Sequence, residues 1–199
     1  MKNETPDIEA YRAALMNFFL SLAPNTNMKE LTELVSNFKS DFFPKKELIL
    51  RAGNFSDTVY FIVKGLVRIY YIKEDKEITN WFIPENRMFA ATYTILSGKK
   101  NYSNYETMED TYVLKINYSE LESFYRKYHS LEYLGRKLIE FYYSTFMEKT
   151  HDVLFLSAEE RYHIFEKDHA DLLKRVPLRI VASYLGITQE TLSRMRSKK

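Results

Sequence analysis

The sequence contains no cysteine, one tryptophan, four histidines, and five each of glycine and proline in 199 residues. Without thiols there are no disulfides, cysteine-ligated zinc sites, iron–sulfur clusters, thiol nucleophiles or redox switches. Their absence fits a reducing compartment, and a cytoplasmic location is the default expectation. Long apolar runs are missing too. The longest, Ala13 to Ala23, is 11 residues interrupted by Asn17 and Ser21, short of the roughly 20 residues a membrane span requires. The opening MKNETPDIEA has one lysine, acids and no apolar centre, unlike a secretory signal. Histidine-based metal chemistry in a β-barrel needs two or three imidazoles among the strands. His129, His151, His163 and His169 all follow the strand-rich region, so no metal is expected. No glycine-rich phosphate loop, G-x-S-x-G elbow or H-E-x-x-H pair occurs, so an enzyme is not expected.

What remains is ordinary core material: 45% hydrophobic and 16% aromatic residues, enough to exclude general disorder. Ile8, Tyr11, Leu15, Phe18, Phe19 and Leu22 recur at helical spacing before Pro24, and Leu31, Leu34, Val35 and Phe38 mark a second helix. From Phe42 to Ile116 the texture changes to short β-branched and aromatic runs at Leu48–Leu50, Val59–Val63, Leu66–Ile72, Ile78–Ile83 and Tyr112–Ile116. Turn residues separate them every 8–12 positions, a pattern that predicts an antiparallel sandwich or jelly roll. Asn117 with Glu120 predicts a capped helix to Tyr128. A longer helix is predicted from Leu131 to Phe155. Its Leu131, Leu134, Leu138, Phe141, Tyr142 and Thr145 keep helical spacing, while Ile139, Tyr143, Phe146 and Met147 widen the apolar surface. A helix apolar on more than one face has two partners to bury against, its own β-domain and a second subunit. Ser157 and Glu160 form an S-x-x-E capping box, opening a helix predicted to run to about Arg175, before Pro177. The fold class expected is α+β: an N-terminal antiparallel β-roll with flanking helices, a long dimerisation helix, and a C-terminal helical domain. The expected divisions are 1–130, 131–156 and 157–199.

The net charge of +2 hides an asymmetry. From Leu172 onward seven basic residues face one acid, Glu190, leaving +6, so the first 171 residues carry −4. Concentrated positive charge is the footprint of a polyanion-binding surface. Within this stretch Pro177 suits a helix start. Leu178 to Tyr184 read as a short helix, and Gly186 is free to take the left-handed conformation of a tight turn. Thr188 is a good N-cap for a last helix from Gln189 to Ser197. Small Ala182 permits close approach of the two helices, and Val181, Leu185, Ile187, Leu192 and Met195 supply apolar contacts. This is helix-turn-helix spacing. On the last helix Gln189, Glu190, Ser193, Arg194 and Ser197 fall within about 140° of arc, opposite Thr191, Leu192 and Met195. Gln pairs with adenine, Glu accepts from cytosine N4 and Arg grips guanine O6/N7, so Gln189, Glu190, Ser193 and Arg194 are the candidate base readers.

The run Val181-Ala-Ser-Tyr-Leu-Gly-Ile-Thr-Gln-Glu-Thr-Leu-Ser-Arg194 resembles the helix-turn-helix of the CRP/FNR superfamily of bacterial transcription regulators, whose recognition helix carries T-x-E-T-L/V-S-R. Leu48-Ile-Leu-Arg-Ala-Gly53 and Val59-Tyr-Phe-Ile-Val-Lys-Gly65 are similar to the opening of that family's cyclic-nucleotide-binding-type β-roll, and the helix from Leu131 to its dimerisation helix. The resemblance implies a homodimer bound to double-stranded DNA at a pseudo-palindromic operator with half-sites about 34 Å apart. RNA polymerase is the further partner implied. Five residues follow Arg194, so the β-wing that many relatives place there is not expected, and phosphate contacts fall to Arg179, Thr188, Arg196, Lys198 and Lys199.

Family members that bind cyclic AMP carry a cassette with a Glu for the ribose and an Arg for the cyclic phosphate. The matching stretch, Phe89 to Asn104, has Thr92 at the Glu position and Tyr102 at the Arg position, and keeps only Ser103. A buried phosphate without the guanidinium lacks its bidentate charge partner. Cyclic AMP binding is therefore not expected and no cofactor is assigned. An unknown effector stays open, with Thr92, Tyr93, Tyr102 and Ser103 as a degenerate pocket. Tyr93, Tyr102, Tyr105 and Trp81 either line an aromatic pocket or pack as core, the commoner fate of strand aromatics. The rival function is a dimeric small-molecule or protein-binding sensor whose DNA reader is non-functional.

Overall fold

The computed structural model describes residues 7–197. Two N-terminal helices, α1 (Ile8–Leu22) and α2 (Met28–Ser36), precede eight strands: β1 (Lys39–Phe43), β2 (Leu48–Leu50), β3 (Thr58–Lys64), β4 (Val67–Lys73), β5 (Lys76–Ile83), β6 (Arg87–Ala90), β7 (Asn104–Thr107) and β8 (Thr111–Asn117). A short α3 (Thr92–Ser97) interrupts the strands. They are followed by α4 (Tyr118–Lys127), α5 (His129–Phe155), α6 (Ala158–Asp168), α7 (Leu172–Arg175), α8 (Leu178–Leu185) and α9 (Gln189–Ser197).

The strands form two four-stranded antiparallel sheets in the orders β1-β8-β3-β6 and β2-β7-β4-β5, a jelly roll. In the first sheet the central strands β3 and β8 are covered on both faces, so β3 is apolar almost throughout, while edge strand β1 is largely exposed. Val59 and Phe61 of β3 meet a helical layer through Leu15, Phe18, Leu31 and Leu131. Ile62, one pleat over, faces inward onto Val67, Ile69, Ile83, Phe89, Tyr105 and Val113 of the roll's own core. The outer side of the second sheet carries the C-terminal helices: Leu66, Phe82 and Met108 pack with Tyr162, Phe165, Val181, Leu185 and Leu192. Arg68, only 2% exposed, lies on that outer side. It donates to the Thr79 hydroxyl at 2.9 Å and Glu77 at 2.7 Å, with its guanidinium 4.4 Å from the Tyr70 ring centroid. Between β4 and β5, Glu74 and Asp75 both take positive φ, the two-residue hairpin geometry that follows strand twist.

Three expectations need correcting. Asn117 makes no side-chain cap; it is spent as the last residue of β8, paired with Thr58. The helix opened by Ser157 ends at Asp168 rather than Arg175, and a separate turn of helix, α7, follows. Pro177 is the N-cap of α8, with extended ψ of 138°, rather than its first helical residue. The capping box itself is present, with the Ser157 and Glu160 side chains each accepting from the other's backbone N–H.

Helix α5 buries Leu131, Leu134, Gly135 and Leu138 in the helical layer, with Gly135 close against the Tyr125 ring of α4. Further along, the Met88 backbone N–H donates to the Tyr142 hydroxyl at 2.7 Å. A second stripe is left uncovered. Ile139, Tyr143, Phe146 and Val153 are each between 57% and 63% exposed, and with Thr150 they alternate four and three residues apart, the spacing of a coiled-coil seam. The two apolar faces expected of this helix are both present. Among the described residues no helix is long and apolar enough to cross a membrane.

Candidate nucleic-acid interface

Helices α8 and α9 are joined by a turn whose geometry is set locally. Gly186 sits at φ 69° and ψ 31°. The Ile187 N–H donates to the Ala182 carbonyl at 3.0 Å and the Gly186 N–H to Ser183 at 3.2 Å, closing a Schellman motif. Arg161 from α6 satisfies what the turn leaves over, donating to the Leu185 carbonyl from Nε and Nη2 at 3.2 and 3.0 Å. Its Nη1 donates to the Leu156 carbonyl at 2.6 Å, so one guanidinium ties the end of α5 to the end of α8. Thr188 then starts α9, its hydroxyl accepting from the Thr191 N–H at 3.2 Å. Val181, Ala182, Leu185 and Leu192 are buried together, with Ile187 and Met195 against them. This is the helix-turn-helix the sequence predicts.

The outward face of α9 holds Gln189, Glu190, Ser193 and Arg194, all exposed, as are Thr188, Arg179 and Arg196. Among the described residues no ion pair engages Arg179, Arg194 or Arg196. The nearest intrahelical contact is Arg194 Nη2 to the Thr191 hydroxyl at 3.5 Å, too long to fix the guanidinium. The Glu190 carboxyl is held below its usual range by its own backbone N–H, then by the Thr188 hydroxyl, so it is ionised and acceptor-only at neutral pH. Lys198 and Lys199 lie outside the described residues.

One cation counted in the basic segment is not available to a polyanion. Arg175 turns back onto the roll. It is bidentate on Glu85, at 3.0 and 2.8 Å, and reaches Glu109 and the Gly65 carbonyl. Sequence reading assigned no role to Glu85, Glu109 or Arg68: the two carboxylates meet Arg175 from distant segments, and Arg68 meets Thr79 and Glu77 only when β4 pairs with β5.

The residues of the degenerate cassette differ in exposure. Thr92 opens α3 and is exposed, Ser103 is buried, and Tyr93 and Tyr102 form an exposed edge-to-face pair with ring centroids 5.0 Å apart. Tyr105 is elsewhere, stacked on Phe89 in the roll core with its hydroxyl donating to the Ala90 carbonyl at 3.1 Å. Trp81 packs against the roll core on one side and under Lys149 on the other. The four aromatics therefore do not line one pocket. Lys99 and Lys100, the two lysines within that stretch, are exposed.

Residues 41–128 match the cyclic nucleotide-binding domain family. Solved structures extend the likeness over both the roll and the C-terminal helices. A protein described as a transcriptional regulator of the CRP/FNR family from Eubacterium rectale superposes with a TM-score of 0.68 at 15% identity, over 90% of this chain and 86% of that one. The chain has the CRP/FNR fold. FixK2 from Bradyrhizobium japonicum gives a TM-score of 0.67 at 22% identity, covering 81% of this chain and 83% of that one. The Thermus thermophilus catabolite activator protein gives 0.57 at 19%, covering 89% and 85%. A comparison with curated protein sequences returned no match. The jelly roll, the long α5 and the terminal helix-turn-helix thus recur together at identities far too low for shared surface chemistry to follow.

Proposed function

We propose that this CRP/FNR-type protein is a sequence-specific DNA-binding transcription regulator that acts as a cytoplasmic homodimer, without catalytic activity. The observation that carries the reading is the outward face of α9. Gln189, Glu190, Ser193 and Arg194 are the side-chain types that read base edges, and they are exposed together on a helix whose opposite side is packed. Arg179, Thr188, Arg196, Lys198 and Lys199 supply the phosphate contacts that fix register. The uncovered seam on α5 supports the second copy, because its four-three spacing suits a helix packing on its own symmetry mate. RNA polymerase is the further partner of a regulator seated at a promoter.

Selection from a random duplex library, followed by anisotropy titration of the enriched sequences at several salt concentrations, tests this reading. An inverted repeat with a steep salt slope is expected; weak, sequence-blind binding would count against it. Arg194→Ala should then lose about 1–3 kcal/mol of discrimination at one base pair per half-site. Arg179→Ala and Arg196→Ala should instead weaken binding to all sequences alike, each lowering the salt slope by about 1.

Cyclic AMP is not the effector in this reading. Tyr102 stands where the resemblance calls for the phosphate-binding Arg, and it is occupied in a ring pair with Tyr93. No heat of binding is expected when cyclic AMP is titrated into the protein by calorimetry. Saturable binding at micromolar concentration or tighter would overturn this.

A further inference from the structure

The C-terminal helices meet the roll at several polar contacts. One is the Arg175 cluster. Another is Lys149 on α5, whose ammonium lies over two rings from opposite sides of the joint: Trp81 of β5 at 4.4 Å and Tyr184 of α8 at 3.8 Å from the centroids. The same ammonium donates to the Asn80 carbonyl. Beside it is a cleft of about 150 Å³ between β5, α5, α6 and α8. Nearby, the Thr79 N–H of β5 donates to the Ser183 hydroxyl of α8 at 2.9 Å, and that hydroxyl donates to the Glu77 carbonyl at 3.0 Å.

We propose that Lys149 is a proton-sensitive latch that sets how firmly the helix-turn-helix module docks on the roll. Docking closes Tyr184 over an amine already lying on Trp81, so the amine gives up solvent for two ring faces and one carbonyl. The charged groups around the cleft are Glu148 and Asp152 from α5, Arg161 and Asp168 from α6, and His169. Among the described residues no carboxylate pairs with Lys149. Asp152 is beside His151, and Arg161 is held by backbone carbonyls.

Burial pushes the Lys149 ammonium from 10.5 down to about 7. With the module undocked the amine returns to water and its ordinary value. Between about pH 7 and 10.5 the undocked state therefore binds a proton that the docked state does not. Docking strengthens as pH rises through this window and is level below it. His169 and Tyr184 do not titrate there. Burial lowers His169 from 6.5 and raises Tyr184 to about 12.

Two amino acids report the latch. Trp81 is the sole tryptophan, so emission reads the charge on its face. The Thr79 amide is bonded to α8, so its hydrogen-exchange protection, corrected for intrinsic rate, reads docking. From pH 7 to 8.5 that protection should rise about tenfold or more in the native protein, with Trp81 emission changing alongside. Both should be flat in Lys149→Met, which keeps the aliphatic stem, and in Lys149→Arg, which keeps a fixed charge. A flat native profile, or a slope that survives in either variant, would overturn the latch. The effect on DNA rests on the proposed regulator function: operator affinity should follow the same pH window in the native protein only. A Thr79 slope without operator binding would sink the regulator reading and leave the latch standing.

Discussion

Tyr143→Glu combined with Phe146→Glu is expected to turn the proposed dimer into a monomer while leaving the protomer folded. Both side chains are about three-fifths exposed, so the substitutions disturb no packing within one chain, and far-ultraviolet circular dichroism should be unchanged. In an isologous interface the same surface is contributed by both copies, so two substitutions place four charges in the seam. Each seam residue buried by a partner is worth about 1.5–3 kcal/mol, and the introduced like charges oppose association further. The dissociation constant should rise at least about 100-fold, equivalent to roughly 3 kcal/mol. Sedimentation velocity checks it directly. A variant that stays dimeric would show that copies meet elsewhere. Operator affinity should fall with the dimer, because each monomer then binds one half-site alone.

The seam also shows where the sequence was legible. Its residues lie on one helix, and a period of 3.6 fixes which of them share a face, so two apolar sides were readable before any neighbour was known. The helix-turn-helix was readable for the same reason: the Gly186 turn, the Thr188 cap and the polar face of α9 are all settled within 20 residues. Strands rich in β-branched residues were likewise legible. Lys39–Phe43, Arg87–Ala90 and Asn104–Thr107 were not. Asn104 and Thr107 look like loop residues, yet both are buried, because the Thr107 hydroxyl finds the Pro44 carbonyl at 2.6 Å and Asn104 accepts from the Ala52 N–H at 3.0 Å. Such partners come from tertiary pairing and leave no periodic trace. Arg175 is the sharpest case. By position it belongs to a basic tail, but Glu85 and Glu109 are 90 and 66 residues away in the chain. Counting charge along the sequence included in the basic footprint a cation that the fold uses to hold its own module.

Gly65→Ala should be among the most damaging single-methyl substitutions in the chain. Gly65 turns β3 into β4 at φ 115°, a conformation that costs an L side chain about 1–3 kcal/mol. The added Cβ would stand 2.5 Å from Thr111 Oγ1, 2.7 Å from Thr111 Cα and 2.9 Å from the Asp110 carbonyl. Two of these are backbone atoms at the start of β8, and Thr111 is fully buried, so no flexible side chain can yield; overpacking adds about 1–3 kcal/mol. A loss of at least about 3 kcal/mol is expected, lowering Tm by about 6–12 °C for a chain of this size. The same residue joins the roll to the C-terminal module: its N–H donates to Glu85 at 3.0 Å and its carbonyl accepts from Arg175 at 3.2 Å. A shift of this turn therefore moves both partners of the Arg175 clamp at once. Gly98→Ala separates strain from crowding. Gly98 also has positive φ, 66°, but nothing lies within 4 Å of its Cβ position, so only the left-handed cost of about 1–2 kcal/mol applies. Thermal unfolding of the two variants should differ by several degrees. Equal losses would mean that the roll accommodates a side chain at the β3–β4 turn, and that Gly65 is required for its φ alone.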